Sequence, residues 1–203
     1  LKIVIDLSIS SFSTVCLCCY ITKTDLWNKK QEPAKINQKI SDVVCTTMIG
    51  FTEAVVVTNG FLHFQFIHTL PHTWIQCNIN IVLYVLLLEA FNYVYHRLMH
   101  TPYFFKRVHY KHHQERVVYP IDTFYMTFTD ISLNVLVLAL PVFFLQLNVM
   151  EYSVLTYLYV TGELLMHSNI ISNHHLIHHY KMKGNYCFLF PIFDIMFNTE
   201  LQE

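Results

Sequence analysis

An all-α integral membrane helical bundle, with about four transmembrane helices and a histidine-rich helical cap facing the cytosol, is the fold that this 203-residue chain predicts. Hydrophobic residues make up 54% of the chain and charged residues only 13%, far from the balance of a soluble domain. Nearly uncharged apolar runs recur at 42–67, 77–95 and 128–166, the last long enough to cross a bilayer twice and turn between. Three histidine clusters lie at the ends of these runs.

Taken in order, residues 1–20 are apolar and form the weakest span; they resemble the apolar core of a signal peptide only loosely. The chain starts at Leu1 rather than methionine, which leaves room for an upstream piece. Residues 28–42 are polar and rich in lysine, the composition of a linker, so the chain divides into a 1–41 segment and a 42–203 membrane domain. Lysines and arginines cluster at 23–39, around 106–116 and at 181–183, and none occurs from 117 to 180. The positive-inside rule then places those segments in the cytosol and the uncharged turn near Leu147 across the membrane. All three histidine clusters fall on the cytosolic side, whereas His63, His68 and His72 fall near the opposite face and are left out of the site.

A net charge of −1 gives no footprint for nucleic acid. Six cysteines give no scaffold: Cys16, Cys18 and Cys19 contain a CxxC, but it sits in an apolar run without a second pair, as core packing would have it.

The clusters are HRLMH (His96, His100), HYKHH (His109, His112, His113) and HLIHH (His175, His178, His179). Imidazole binds transition metals at neutral pH without first losing a proton. Helical spacing turns the rings of each cluster the same way. Eight rings suit two metal ions better than one four-coordinate ion. Surface histidines contacting lipid headgroups are the plainer reading, yet lysine and arginine do that better and the repeated HxxHH spacing is unexplained by it. A zinc protease lacks its HExxH, and a carboxylate-bridged di-iron bundle lacks its ExxH pairs. A metal transporter would carry polar groups along its spans, where Glu53 is nearly alone.

With these residues the chain resembles the fatty acid hydroxylase and sterol desaturase superfamily, membrane enzymes with HxxxH, HxxHH and HxxHH boxes in this order. The likeness covers residues 89–199: EAFNYVYHRLMH, HYKHHQERVVYP with Pro120, MHSN with His167, and NYCFLFPIFDIMFNT through Asn185, Tyr186, Asp194, Phe197 and Thr199. Glu89 stands where aspartate is usual, Cys187 and Asn198 replace glycines, and seven residues separate His167 from His175 where relatives have a longer connection. The resemblance implies two iron ions as cofactor, a site that zinc also fits in purified protein, and O2 as co-substrate. As ligands it implies His96, His100, His109, His112, His113, His175, His178 and His179, with His167 and His174 as additions. Glu89, Glu163, Asn185 and Asp194 are then expected to orient ligands, and Arg97 to snorkel.

The implied activity is iron-dependent lipid oxidation in lipid biosynthesis, as a hydroxylase or desaturase acting on a fatty acyl, sphingoid or sterol substrate drawn from the bilayer. Tyr93, Tyr95, Phe124 and Tyr125 are read as channel lining or interfacial anchors. The location implied is the endoplasmic reticulum with the active site facing the cytosol. No haem-binding HPGG occurs in the chain, so electrons would come from cytochrome b5 or a similar partner. A metal-transporting or metal-storing membrane protein and a non-catalytic relative of the family are the alternatives.

Overall fold

Apolar segments with no water around them must satisfy their own backbone N–H and C=O groups, which favours helix; the computed structural model, describing residues 2–202, is accordingly a helical bundle with almost no strand. Helices α1 (Lys2–Thr22), α2 (Pro33–His63) and α3 (Trp74–Met99) are the three that have the length and apolarity to cross a membrane among the described residues. The 26 residues of α3 rise roughly 39 Å. Residues 128–166 divide into α5 (Phe128–Ala139), extended by a 3-10 turn containing Pro141, and α6 (Val149–Met166). A short helix α4 (Pro102–Arg107) follows α3.

Local chemistry sets these boundaries. Thr73 and Gln76 form a reciprocal capping box at the start of α3, and Asn148 and Glu151 form another at the start of α6. Pro33 and Pro102 occupy the first turns of α2 and α4, where the missing N–H costs nothing. The polar 28–42 stretch is therefore helical from Pro33 onward, and the expected boundary at 41 falls inside α2.

One end of the bundle is closed by β1 (Ile67–His68) and β2 (Leu147–Asn148), paired in parallel with Ile67 opposite Leu147. His72 Nδ1 lies 3.0 and 3.1 Å from the two carboxylate oxygens of Glu151, and Asn80 donates to Glu151 from 3.2 Å. The Leu147 turn and residues 63–72 thus lie together, one length of α3 from the histidine boxes.

Phe61, Tyr84, Leu88, Val142, Tyr152 and Tyr159 belong to the main buried core. Val15 and Cys19 of α1 pack with Leu164 and Leu165 of α6 in a second, so Cys19 serves packing. Outward-facing Ile9, Leu17, Val56, Val82 and Leu86 are exposed, as hydrocarbon-facing positions should be. At Gly50 a Cβ would come within 2.8 Å of Ile131 Cγ1, so glycine lets α2 lie close against α5. Glu53 accepts a 2.6 Å hydrogen bond from Ser132 Oγ.

The N-terminal part of α2 is bolted to the loop after the second histidine box. Buried Lys39 places Nζ 2.9 Å from Asp122 Oδ1 and 3.5 Å from Glu115 Oε1, while Lys111 Nζ lies 2.8 Å from Asp42 Oδ2. Of these, only Lys39–Asp122 is buried on both sides, and removing one partner of such a pair typically costs about 3–5 kcal/mol. Ile121 N–H also donates to the Leu26 carbonyl at 3.2 Å.

Candidate metal centre

The apolar run of α3 carries His96 out on its last turn, and His100 N–H still donates to the His96 carbonyl at 3.1 Å although His100 caps the helix. His109, His112 and His113 lie on a tight 3-10 turn kinked at His113 (φ −95°, ψ 18°). His175, His178 and His179 lie on α7 (His174–Lys181), which Met182 ends in a left-handed conformation. His167 caps the C-terminus of α6. All of these rings are buried except His100, which is half-buried.

Two four-histidine groups form. His96, His100, His109 and His113 offer ring nitrogens within 4.8 Å of one another, and so do His112, His167, His175 and His179. His178 sits with the first group, its Nε2 3.2 Å from His113 Nε2 and its ring centre 4.2 Å from that of His96. Each HxxHH box is therefore split between sites. Residues four apart share one site and the residue between them turns to the other, which the expectation of parallel rings did not foresee. The short connection to α7 brings His167 in, its Nε2 3.3 Å from His112 Nε2.

His113 Nε2 lies 3.1 Å from His100 Nε2, 3.1 Å from His109 Nε2 and 3.2 Å from His178 Nε2. A neutral imidazole has one N–H to give, so hydrogen bonding cannot satisfy all three contacts. Nitrogens ligating one ion at about 2.1 Å stand about 3.0–3.4 Å apart, the spacing found here. His96 Nε2 is buried without a hydrogen-bond partner among the described residues. The crowded Nε2 atoms and this orphan fit a pair of bound metal ions.

Four rings are held at the opposite edge, whereas the Nδ1 atoms of His112, His113, His175 and His179 have no partner among the described residues. His109 Nδ1 lies 2.8 Å from Asp130 Oδ2, His96 Nδ1 is 3.0 Å from the Tyr186 carbonyl, His167 Nδ1 2.9 Å from the Glu163 carbonyl and His178 Nδ1 2.7 Å from the Gly184 carbonyl. Donation from Nδ1 leaves the Nε2 lone pair free for a metal and fixes the ring plane. Gly184 has φ +67°, and a Cβ there would meet the Thr199 carbonyl at 2.3 Å, so no side chain fits where this carbonyl must turn. Burial, reinforced by neighbouring rings, holds His100 down to about 3 and keeps His112, His113, His175, His178 and His179 well below the ordinary imidazole range. Burial likewise lowers His167 to about 4. A pKa lowered in this way favours the neutral ring, the state that ligates.

Carboxylates stay outside the nitrogen cluster. Glu89 accepts from the N–H groups of Phe188, Leu189 and Phe190 at 2.6–3.2 Å, pinning the loop after α7 to α3. Asn185 (φ 52°) bonds the His174 carbonyl and both polar groups of Leu201. Asp194, on α8 (Ile192–Met196), accepts from Tyr186 N–H, Cys187 N–H and Thr199 Oγ1 and meets His174 Nε2 at 3.3 Å. His174 thus lies outside both groups. Glu163 touches the cluster through its carbonyl. Asp130, not anticipated from the sequence, also bonds Tyr95; the signal was an acid in the first turn of an otherwise apolar helix. His63, His68 and His72 lie at the far end, and Arg97 is exposed, donating to Tyr93 OH at 2.8 Å.

The fatty acid hydroxylase family model matches residues 81–199, more than half of the chain. No curated protein and no solved structure gives a match. The chain belongs to the fatty acid hydroxylase family, within the sterol desaturase/fatty acid hydroxylase superfamily.

Proposed function

We propose that this fatty acid hydroxylase family member is an iron-dependent, O2-using lipid oxidoreductase of the membrane, a hydroxylase or desaturase type of enzyme in lipid biosynthesis. The observation that carries the reading is the convergence of nine imidazoles, eight of them buried, into two adjoining groups with no carboxylate among them. One ion would be held by His96, His100, His109, His113 and His178, the other by His112, His167, His175 and His179. No protein side chain breaks an unactivated C–H bond, so a di-iron centre would supply the oxidising chemistry with O2. The chain supplies the rest: Asp130 and the carbonyls of Glu163, Gly184 and Tyr186 orient the rings, and burial keeps water out.

Electrons would come from a separate donor of the cytochrome b5 kind, for which exposed Lys106, Arg107, Lys181 and Lys183 beside the boxes offer a cationic approach. The distribution of lysine and arginine supports a cytosol-facing site, and membership of a lipid-modifying family supports the endoplasmic reticulum as its location.

Metal analysis of detergent-purified protein, joined to an O2-consumption assay with a reductase and bilayer lipids, tests the reading. Two irons per chain and O2-dependent lipid oxidation are expected. Metal uptake into sealed vesicles with no oxidation would instead make the protein a transporter.

A further inference from the structure

Helix α1 runs along α6 and α2 along α5, while α1 and α2 meet only sparsely. Between the four lies a cavity of about 570 Å³, within the range of sites for small apolar ligands. Exposed Phe12, Val44 and Met48 stand among its lining residues, so it opens sideways between α1 and α2, toward the bilayer. More than half of its lining comes from residues 7–54, ahead of the segment that the family model matches.

The lining is aliphatic and aromatic apart from a few hydroxyl-bearing side chains and one polar group toward the histidine end. There Asn134 Nδ2 donates to Glu163 Oε1 at 3.2 Å, and Tyr159 OH donates to Asn134 Oδ1 at 3.3 Å. Each bond uses half of what the Asn134 carboxamide offers: a second N–H and a second lone pair are left for a ligand. Glu163 lies one turn before His167, so a ligand group bonded there is held beside the second histidine group. Among the described residues, no lysine, arginine or histidine lines the cavity. An anionic group inside would lie without a cation, at a large desolvation cost.

We propose that this cavity is the lipid-binding site and that Asn134 and Glu163 select a neutral lipid bearing a hydroxyl or amide over a free fatty acid. The proposal rests on the lipid-oxidoreductase reading and narrows its substrate. A sterol hydroxyl and the hydroxyl or amide of a ceramide share this chemistry.

Equilibrium binding of labelled cholesterol, N-palmitoyl sphingosine and palmitic acid to the full chain in detergent tests it, with metal content measured alongside. At least one neutral lipid should bind about ten-fold or more tightly than palmitic acid, the worth of one net hydrogen bond, and the better of the two identifies the source. Glu163→Leu and Asn134→Leu should each erase that preference. Ala54→Phe should fill the cavity from α2 and weaken all neutral-lipid binding while metal content stays at the wild-type value. Palmitic acid binding as tightly as the better neutral lipid, a preference that survives Asn134→Leu, or binding untouched by Ala54→Phe would overturn the proposal. If Glu163→Leu does not fold, the other two variants decide. A protein that shows the preference yet oxidises no lipid sinks the enzymatic reading alone; one that oxidises lipid without the preference sinks only the selection by Asn134 and Glu163.

Discussion

Both ends of α3 are built around histidine contacts, and only one of them is organised to hold metal. At the Trp74 end a single ring, His72, meets a carboxylate, Glu151, that also caps α6 and accepts from Asn80. His72, Glu151 and Asn80 are all paired there. At the Met99 end the rings face one another, and His113 Nε2 meets three other ring nitrogens that one proton cannot serve. His72 and His100 are both half-buried, so the difference teaches that a histidine's partner, more than its burial, separates a structural ring from a candidate ligand.

The sharpest way to break that contrast is His113→Ala, which removes the nitrogen central to the first group. Metal content measured by mass spectrometry should fall by at least half, whereas a wild-type metal count would refute the assignment. Asp130→Asn keeps the size of the side chain but removes the charge behind His109, and should weaken metal affinity about 10–100-fold in competition with a chelator. Asp194 comes next. Burial opposes its charge, yet hydrogen bonds from His174, Cys187, Thr199 and Tyr186 hold its carboxyl at about 2, below the ordinary 3.8. A lowered acid pKa contributes stability above pH 4 that is lost as the pH falls toward 2, and the contribution is roughly 2 kcal/mol. Denaturation of wild type and Asp194→Asn at pH 7 and pH 3 should show the variant less stable at pH 7 and the gap narrowing in acid. The smallest effect belongs to the other end: His72→Ala leaves Glu151 its Asn80 and Asn148 partners and should cost about 1 kcal/mol in thermal stability while leaving the metal count alone. Loss of metal from this variant would mean that the two ends are not separate.

The three boxes, their meeting at one end and the turn near Leu147 were legible because composition and spacing encode them directly. The partition of each HxxHH box between two sites was not. It follows from a 3-10 turn with a kink at His113 and from the angle at which α7 approaches, both set by packing. Asp130 was hidden because an acid in an apolar run announces a function without naming its partner. The place of His174 was hidden too: it is adjacent to His175 in sequence, yet one residue further round α7 its ring meets Asp194. The role of α1 and α2 as cavity walls could not be read from apolar runs, since apolarity says which face is buried and not against what.

The Lys39–Asp122 and Lys111–Asp42 pairs join α2, a wall of the cavity, to the second histidine box and to the 3-10 turn that follows it. Any outward tilt of α2 that widened the doorway would therefore tug on the ring-bearing turn, so admission of a guest and alignment of the imidazoles are geared together by two short tethers.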